Sequence, residues 1–491
     1  MRSFLLSKVA IPLHLAFVAC YLVCVQFGYD SLAAYLPLAW FSAGLLEIAL
    51  LFPTARKGEE ARDARRRVLN SILKDPILLL GVAGFLFILL QTLNGPRAIA
   101  FNAASGTWDF AVARIRDFPA CISRAGSVQG LFWNMLVIPT MLVIGHGMGR
   151  KGRTLLLKFL VSISALLALF GLLTYDSGAK MAGARHFFAF PDAVSAGIYF
   201  FMNFCVACAL YATEVGAEIR DRVQRNVMFV ASAMNLAGAL YSLSCLCIAL
   251  SAGALVILVG YCAVSLSTCL SAGEKMRMAA VGAILIGLVA FLHFVAYPKN
   301  RIHDCTAKIL SREWMTEQEQ ADRAVRTAVA WRIFKANPIH GVGTWGYADS
   351  ACFGKYMGDD EWDSLANPDA TPENCGNDML QYLVEYGIVG FLLVAAPYLV
   401  LLLSSLYRIA MEFRPRGKKS EDSDTSSENE ARPFTERITP LAFALFLATA
   451  VPFAVSFRFS ILRLPAILFT WTAFIAVFPT LIRKPDAKGA K

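Results

Sequence analysis

Charge is what this sequence has least of. Over 491 residues only 17% are Asp, Glu, Lys or Arg, while 57% are hydrophobic, a balance that excludes an ordinary soluble globule. Histidine is nearly missing, with six in the chain. No Cys or His stands at metal-ligand spacing on a loop, so neither metal nor cofactor is expected. A cleaved signal peptide is not expected either: the first apolar run, 5–27, is long, has no clear small-residue cleavage site, and is followed almost at once by a second run. It is expected to stay as a span. No internal repeat is recognisable, which weighs against a secondary transporter, although the helix count alone permits one.

What is there is a series of long apolar runs. Lipid offers no partner for backbone N–H and C=O groups, so such runs must be helices rather than open sheet. At roughly 20 residues each, they are long enough to cross a bilayer. The sequence therefore predicts an all-α, polytopic membrane protein with about twelve transmembrane helices, near 5–27, 31–53, 76–93, 129–147, 155–174, 193–213, 227–250, 252–272, 278–297, 380–406, 439–457 and 464–482. Lysine and arginine favour the cytoplasmic side. Putting the N-terminus inside places "RKGEEARDARRR" and "RPRGKK" on that face, so both termini are expected to be cytoplasmic. Inner loops beside anionic lipid account for most of the net charge of +10, and no nucleic-acid partner is expected.

Three segments follow: spans one to nine over 1–297, an outer loop subdomain over 298–379, and spans ten to twelve over 380–491 with a disordered cytoplasmic linker near 414–436. The linker reading rests on "KKSEDSDTSSENEARP", which has almost no apolar residue. Most of the twelve cysteines fall in predicted helices. Cys121, Cys305, Cys352 and Cys375 fall outside, where they could pair in an oxidising compartment.

The outer loop is rich in Trp, Tyr, Asn, Asp and Gly and has helical periodicity, so an ordered subdomain is expected. In "SREWMTEQEQADRAVRTAVAWRIFKANPIHGVG" the apolar positions Ala321, Val325, Ala328, Val329 and Ile333 stand near helical spacing, with Arg323, Arg326 and Arg332 around them. A helix lying on the membrane surface or one presenting arginines to an anion both fit. Pro338 and Gly341 should stop it. Next comes "TPENCGNDMLQYLVEYGIVG", where Asp378 is expected as an N-cap with Gln381 three residues on. Asp378, Tyr382 and Glu385 then share one face at i, i+4, i+7, and Glu385 lies roughly 10 Å deeper than Asp378. A carboxylate at that depth faces a cavity or partner, or snorkels to the interface. Arg458 and Arg463, in "FRFSILRLPAILFTW", add two cations before the last span.

These motifs together resemble the bacterial O-antigen ligase and polymerase (Wzy-type) membrane glycosyltransferases. An arginine followed by Trp and a P-x-x-G-x-G turn corresponds to Arg326, Trp331, Arg332 and "PIHGVG". The element L-x-E-x-G-x-x-G after a His-Asn-Asp-like group corresponds to "GNDMLQYLVEYGIVG", matching Asn377, Asp378, Gln381, Glu385, Gly387 and Gly390. Two positions depart from the pattern: Gly376 stands where the family commonly has histidine, and Ala252 where it has arginine.

The resemblance implies a periplasmic large loop and transfer of glycan from a polyprenyl diphosphate lipid onto an acceptor glycan or lipid, in exopolysaccharide or O-antigen assembly in the bacterial inner membrane. Polymerase is slightly preferred over ligase. An inactive glycan-lipid binding homologue is the alternative. Membrane lipids and other polysaccharide-assembly proteins are the further partners it suggests. Asp378 and Glu385 are the candidate catalytic carboxylates. Arg326 and Arg332, with Arg458 and Arg463 in reserve, suit the diphosphate because guanidinium forks match phosphate oxygens. Trp331, His340, Asn377 and Tyr382 complete the candidate substrate-binding set.

Overall fold

The computed structural model describes residues 59–244, 317–413 and 440–481, apart from 98, 104–105, 111–112, 116, 182–189, 191–192, 214–218 and 366–371. The predicted spans 5–27, 31–53, 252–272 and 278–297, the position Ala252, Cys305 and the 414–436 linker lie outside the described residues. In chain order the described helices are α1 (Ala61–Leu73), α2 (Pro76–Asn94), α3 (Arg124–Leu142, continued by a π turn Val143–Gly147), α4 (Arg150–Met181), α5 (Ala193–Thr213) and α6 (Ile219–Ser244). They continue with α7 (Glu317–Ala336), α8 (Ser350–Tyr356) and a 3-10 turn Asp359–Ser364, then α9 (Asp378–Phe413), α10 (Pro440–Ser456) and α11 (Pro465–Leu481). One antiparallel hairpin, β1 (Ile99–Asn102) with β2 (Thr107–Phe110), interrupts the expected all-helical plan.

Five described helices are long and apolar enough to cross a membrane: Pro76–Asn94, Arg124–Gly147, Gly152–Leu172, Val194–Tyr211 and Asp378–Tyr407. These make the chain a multi-pass membrane protein. Shorter apolar helices cover Ala444–Ser456 and Ala466–Thr480. In α2, Asp75 caps the helix by accepting from the Ile77 N–H at 2.8 Å, and Pro76 fits the first turn, where a missing N–H costs nothing. Leu79, Val82, Leu86, Leu90 and Leu93 then form an exposed apolar stripe suited to lipid.

The chain divides into two compact units. One comprises Arg150–Leu310, Leu399–Val451 and Ala473–Lys491. Its helices α4 and α6 are locked by Asn235, whose amide donates to the Val161 carbonyl at 3.1 Å and whose carbonyl accepts from Ser164 Oγ at 2.5 Å. Such an interhelical amide fixes register where the surroundings are uniformly apolar.

The other unit comprises Met1–Gly149, Ser311–Tyr398 and Pro452–Thr472. Here the predicted apolar face of α7 turns inward: Val325, Val329 and Ile333 are buried together with Val342, Tyr347 and Phe353. α7 therefore packs as a core helix, and its face is not spread on a membrane surface. Within α9 the helix is broken at Gly387 (φ 64°, ψ −173°). The backbone groups freed by the break pair with the 338–343 turn: Val342 N donates to Val384 O (3.0 Å), Gly343 N to Glu385 O (2.8 Å), Ile388 N to Pro338 O (2.8 Å) and Val389 N to Ile339 O (3.2 Å). A broken membrane helix is tolerated only where its freed groups find partners, and here the turn supplies them.

Cys121, Cys352 and Cys375 are free thiols, each buried with no exposed surface, so the expected pairing among them does not form. Burial raises all three thiols, Cys352 and Cys375 to about 12. Because the thiolate is the reactive form, peptide-level mass spectrometry after treatment with a maleimide should find these three unmodified in the folded protein and modified once it is denatured.

Candidate functional site

The site is built where α9 begins. Asn377, not Asp378, is the N-cap: its Oδ1 accepts from the Leu380 N–H at 3.0 Å. Asp378 is displaced from that role because its Oδ2 accepts two other backbone N–H groups, from Ile461 and Leu462, each at 2.7 Å. The buried carboxylate thus clamps the turn before α11 against the start of α9. Gln381 bridges inward, its Nε2 donating to Glu373 O (3.3 Å) and Glu385 Oε1 (3.4 Å), while its Oε1 accepts from Cys375 N (3.2 Å).

That clamp delivers Arg463 to Glu385. The two form a buried ion pair, Glu385 with no exposed surface and Arg463 with 6%. Around the guanidinium stand three rings, Trp345, Tyr382 and Trp133, with centroids at 5.0, 5.5 and 5.6 Å. Cation–π attraction and the carboxylate together offset the cost of burying the charge. Arg463 Nε and Nη1 are buried with no hydrogen-bond partner. Trp345 sits at φ 60°, an uncommon conformation for a bulky residue of the kind that concentrates at functional sites.

A second cationic group flanks the α9 start. Arg323, on α7, donates to the Gly376 carbonyl at 3.1 Å and lies 5.1 Å over the Phe459 ring. Burial, and after it the charge of Arg458, lowers Arg323 from the usual arginine value. Arg458 itself is exposed. Gly376 has φ 73°, a left-handed conformation in which a histidine would be strained. The glycine at this departure from the family pattern therefore fits the local backbone.

The remaining candidates divide. Tyr382 and Asn377 belong to the site as described. Arg326 is half-buried and pairs with Asp322 one turn away on α7, with its Nε unpartnered. Arg332 and Trp331 are not brought to the site: nine residues beyond Arg323 is two and a half turns, which places Arg332 on the opposite side of α7. There Arg332 holds Glu361 at 2.7 and 2.8 Å and donates to Tyr356 O at 2.9 Å. Trp331 is exposed beside Phe334. His340 lies in the 338–343 turn, lining a cleft of its own. Sequence reasoning places Arg323 among the helix arginines without carrying it into the site, and passes over Trp133. The available signal for Arg323 was its one-turn spacing from Arg326; nothing in sequence ties Trp133 to Arg463.

This contrast gives a direct test. Arg332→Ala is expected to leave activity unchanged and to cost at most about 1 kcal/mol, as for an exposed pair, whereas Arg323→Ala should lower activity roughly tenfold or more. The hydrogen bond from Arg332 holds Glu361 below the usual carboxylate range. The pair's small contribution is therefore present at neutral pH and lost as the pH falls through the lowered pKa. The thermal midpoints of wild type and Arg332→Ala should differ more at pH 7 than at pH 3.

Chemically, the arrangement offers positive charge and a single open carboxylate oxygen. Glu385 is held by Arg463 and Asp378 Oδ2 by two backbone N–H groups, while Asp378 Oδ1 and the N–H groups of Arg463 and Arg326 are buried without partners. Residues 237–395 match a family model described as O-antigen ligase. That match takes in α7, the 338–343 turn and Glu385, and ends before Arg458 and Arg463. No match was found among curated proteins.

Proposed function

We propose that this chain, a member of the O-antigen ligase/polymerase family, transfers glycan from a polyprenyl diphosphate carrier to an acceptor saccharide at the periplasmic face of a bacterial inner membrane. The observation that carries the reading is the buried Arg463, paired with Glu385 and retaining unpartnered N–H groups. An acceptor hydroxyl attacks the anomeric carbon, the bond to the diphosphate oxygen breaks, and the hydroxyl proton passes to solvent or a carboxylate. The lipid diphosphate leaves with both electrons of that bond. Charge on the leaving group is what needs stabilising, and preorganised guanidinium donors in a dry site are suited to it. Positioning then carries more of the barrier than a strong base.

Polymerisation is preferred over ligation because "NGPRAIAFNAASGTWDFAVARIRDFPACIS" (94–123) and "LRLPAILFTW" (462–471) resemble exopolysaccharide polymerase members. The plan of about twelve spans, with cytoplasmic termini and the 298–379 loop outside, belongs to the same proposal. Deleting the gene should remove the glycan ladder while single-repeat material remains. Unchanged long-chain polymer would eliminate polymerisation. A second reading, a homologue that binds lipid-linked glycan without turnover, is favoured by the pairing of Glu385 with Arg463 and by Gly376.

A further inference from the structure

The 338–343 turn also lines a cleft of about 340 Å³, with Arg97, Asp117, Phe118, Asn337, His340 and apolar neighbours including Ile339 around it. We propose that this cleft is a saccharide-binding subsite that holds uncharged sugars of the glycan away from the reacting bond. It rests on the transferase reading only for the glycan it would meet.

Both walls are built by buried amides at the end of α2. Asn94 donates from Nδ2 to the carbonyls of Ile115 (3.0 Å), Phe118 (3.2 Å) and Pro119 (3.2 Å), and its Oδ1 accepts from Ile115 N at 2.8 Å. One turn earlier, Gln91 donates to His340 O at 2.7 Å and Glu385 O at 3.3 Å. The facing walls are therefore fixed before any ligand arrives, which reduces the ordering cost of binding. The cavity falls at the small end of ligand-site volumes, with room for a short saccharide.

The lining selects the chemistry. Asp117, at φ 67°, lines the cleft together with Arg97 and Asn337, so an acceptor and polar donors share it. Phe118 and Ile339 are 53% and 56% exposed, offering an aromatic and an aliphatic face. Burial lowers His340, with Asp117 opposing, so at neutral pH the imidazole is a neutral donor and acceptor. Opposite charges with polar groups of both kinds disfavour a diphosphate, which Asp117 would repel. The polar lining also disfavours a lipid tail. Hydroxyl-rich rings with apolar faces satisfy both sets of groups.

Because Gln91 and the broken segment of α9 hold the same turn, the subsite is fixed relative to Glu385 by backbone hydrogen bonds. The probe is lipid-free oligosaccharide released by mild acid from the producing cell's own polysaccharide, titrated into the full-length protein in detergent by native mass spectrometry. Wild type and Gly145→Ala, which adds a Cβ in open space, should bind it alike. Phe118→Ala and Asp117→Gly, the latter compatible with the left-handed backbone, should each weaken binding at least tenfold. Inorganic pyrophosphate should not compete. Absence of binding, equal binding by the cleft variants, or displacement by pyrophosphate would overturn the subsite. Fragment binding without any turnover of lipid-linked glycan would instead count against the transferase reading and leave the subsite standing.

Discussion

Replacing Arg463 by alanine should reduce transfer by roughly 100-fold or more and destabilise the protein by about 3 to 5 kcal/mol. Both effects have one origin. Glu385 is buried with no exposed surface and its Oε2 is held by Arg463; without the guanidinium, a charged or protonated carboxyl is left in an apolar pocket among Trp133, Trp345 and Tyr382. Loss of activity alone would therefore be ambiguous. The double variant Glu385→Gln/Arg463→Met removes both charges at similar volume, and exchanging a buried pair for neutral groups is often close to neutral in stability. Its thermal midpoint should recover most of what Arg463→Ala loses, while transfer stays abolished. Recovery of transfer along with stability would show the pair to be structural.

The break in α9 leads to a second large effect. Gly387→Ala should cost on the order of 3 kcal/mol or more, seen as a large drop in the thermal midpoint of the detergent-solubilised protein or as loss of the folded species. The residue sits at φ 64°, and an added Cβ would overlap the backbone of Ile339 and His340 more closely than real Cβ atoms approach anything. Backbone cannot move aside as a flexible side-chain tip can. The four hydrogen bonds between the 338–343 turn and residues 384–389 would be strained together. Gly145→Ala, with nothing near its Cβ position, is the matched control and should change stability by less than about 0.5 kcal/mol.

The helical windows 76–93, 129–147, 155–174, 193–213, 380–406, 439–457 and 464–482 were legible because uninterrupted apolar length carries that signal directly. The break at Gly387 was not, since the apolar run continues straight across it and the groups that satisfy the freed backbone come from Pro338 to Gly343, far away in sequence. Each motif could be read separately; their hydrogen-bonded union could not. Asp378 and Glu385 stand out in the sequence as polar groups entering an apolar helix, yet the sequence has no means of showing that Asp378 would accept from Ile461 and Leu462. Arg463, kept in reserve, became the centre of the site because that same clamp fixes the turn it belongs to. Arg332 was favoured by its place beside Trp331, but helical periodicity, applied from Arg323, turns it away.

The decisive measurement uses purified protein in lipid nanodiscs supplied with the producing cell's polyprenyl-diphosphate-linked oligosaccharide and an acceptor glycan, following release of free lipid diphosphate together with growth of the acceptor. Wild type should yield both in equal amounts, and the stable Glu385→Gln/Arg463→Met variant neither. Equal turnover by that variant, or carrier binding by wild type with no release of lipid diphosphate, would contradict a transferase centred on Arg463 and Glu385.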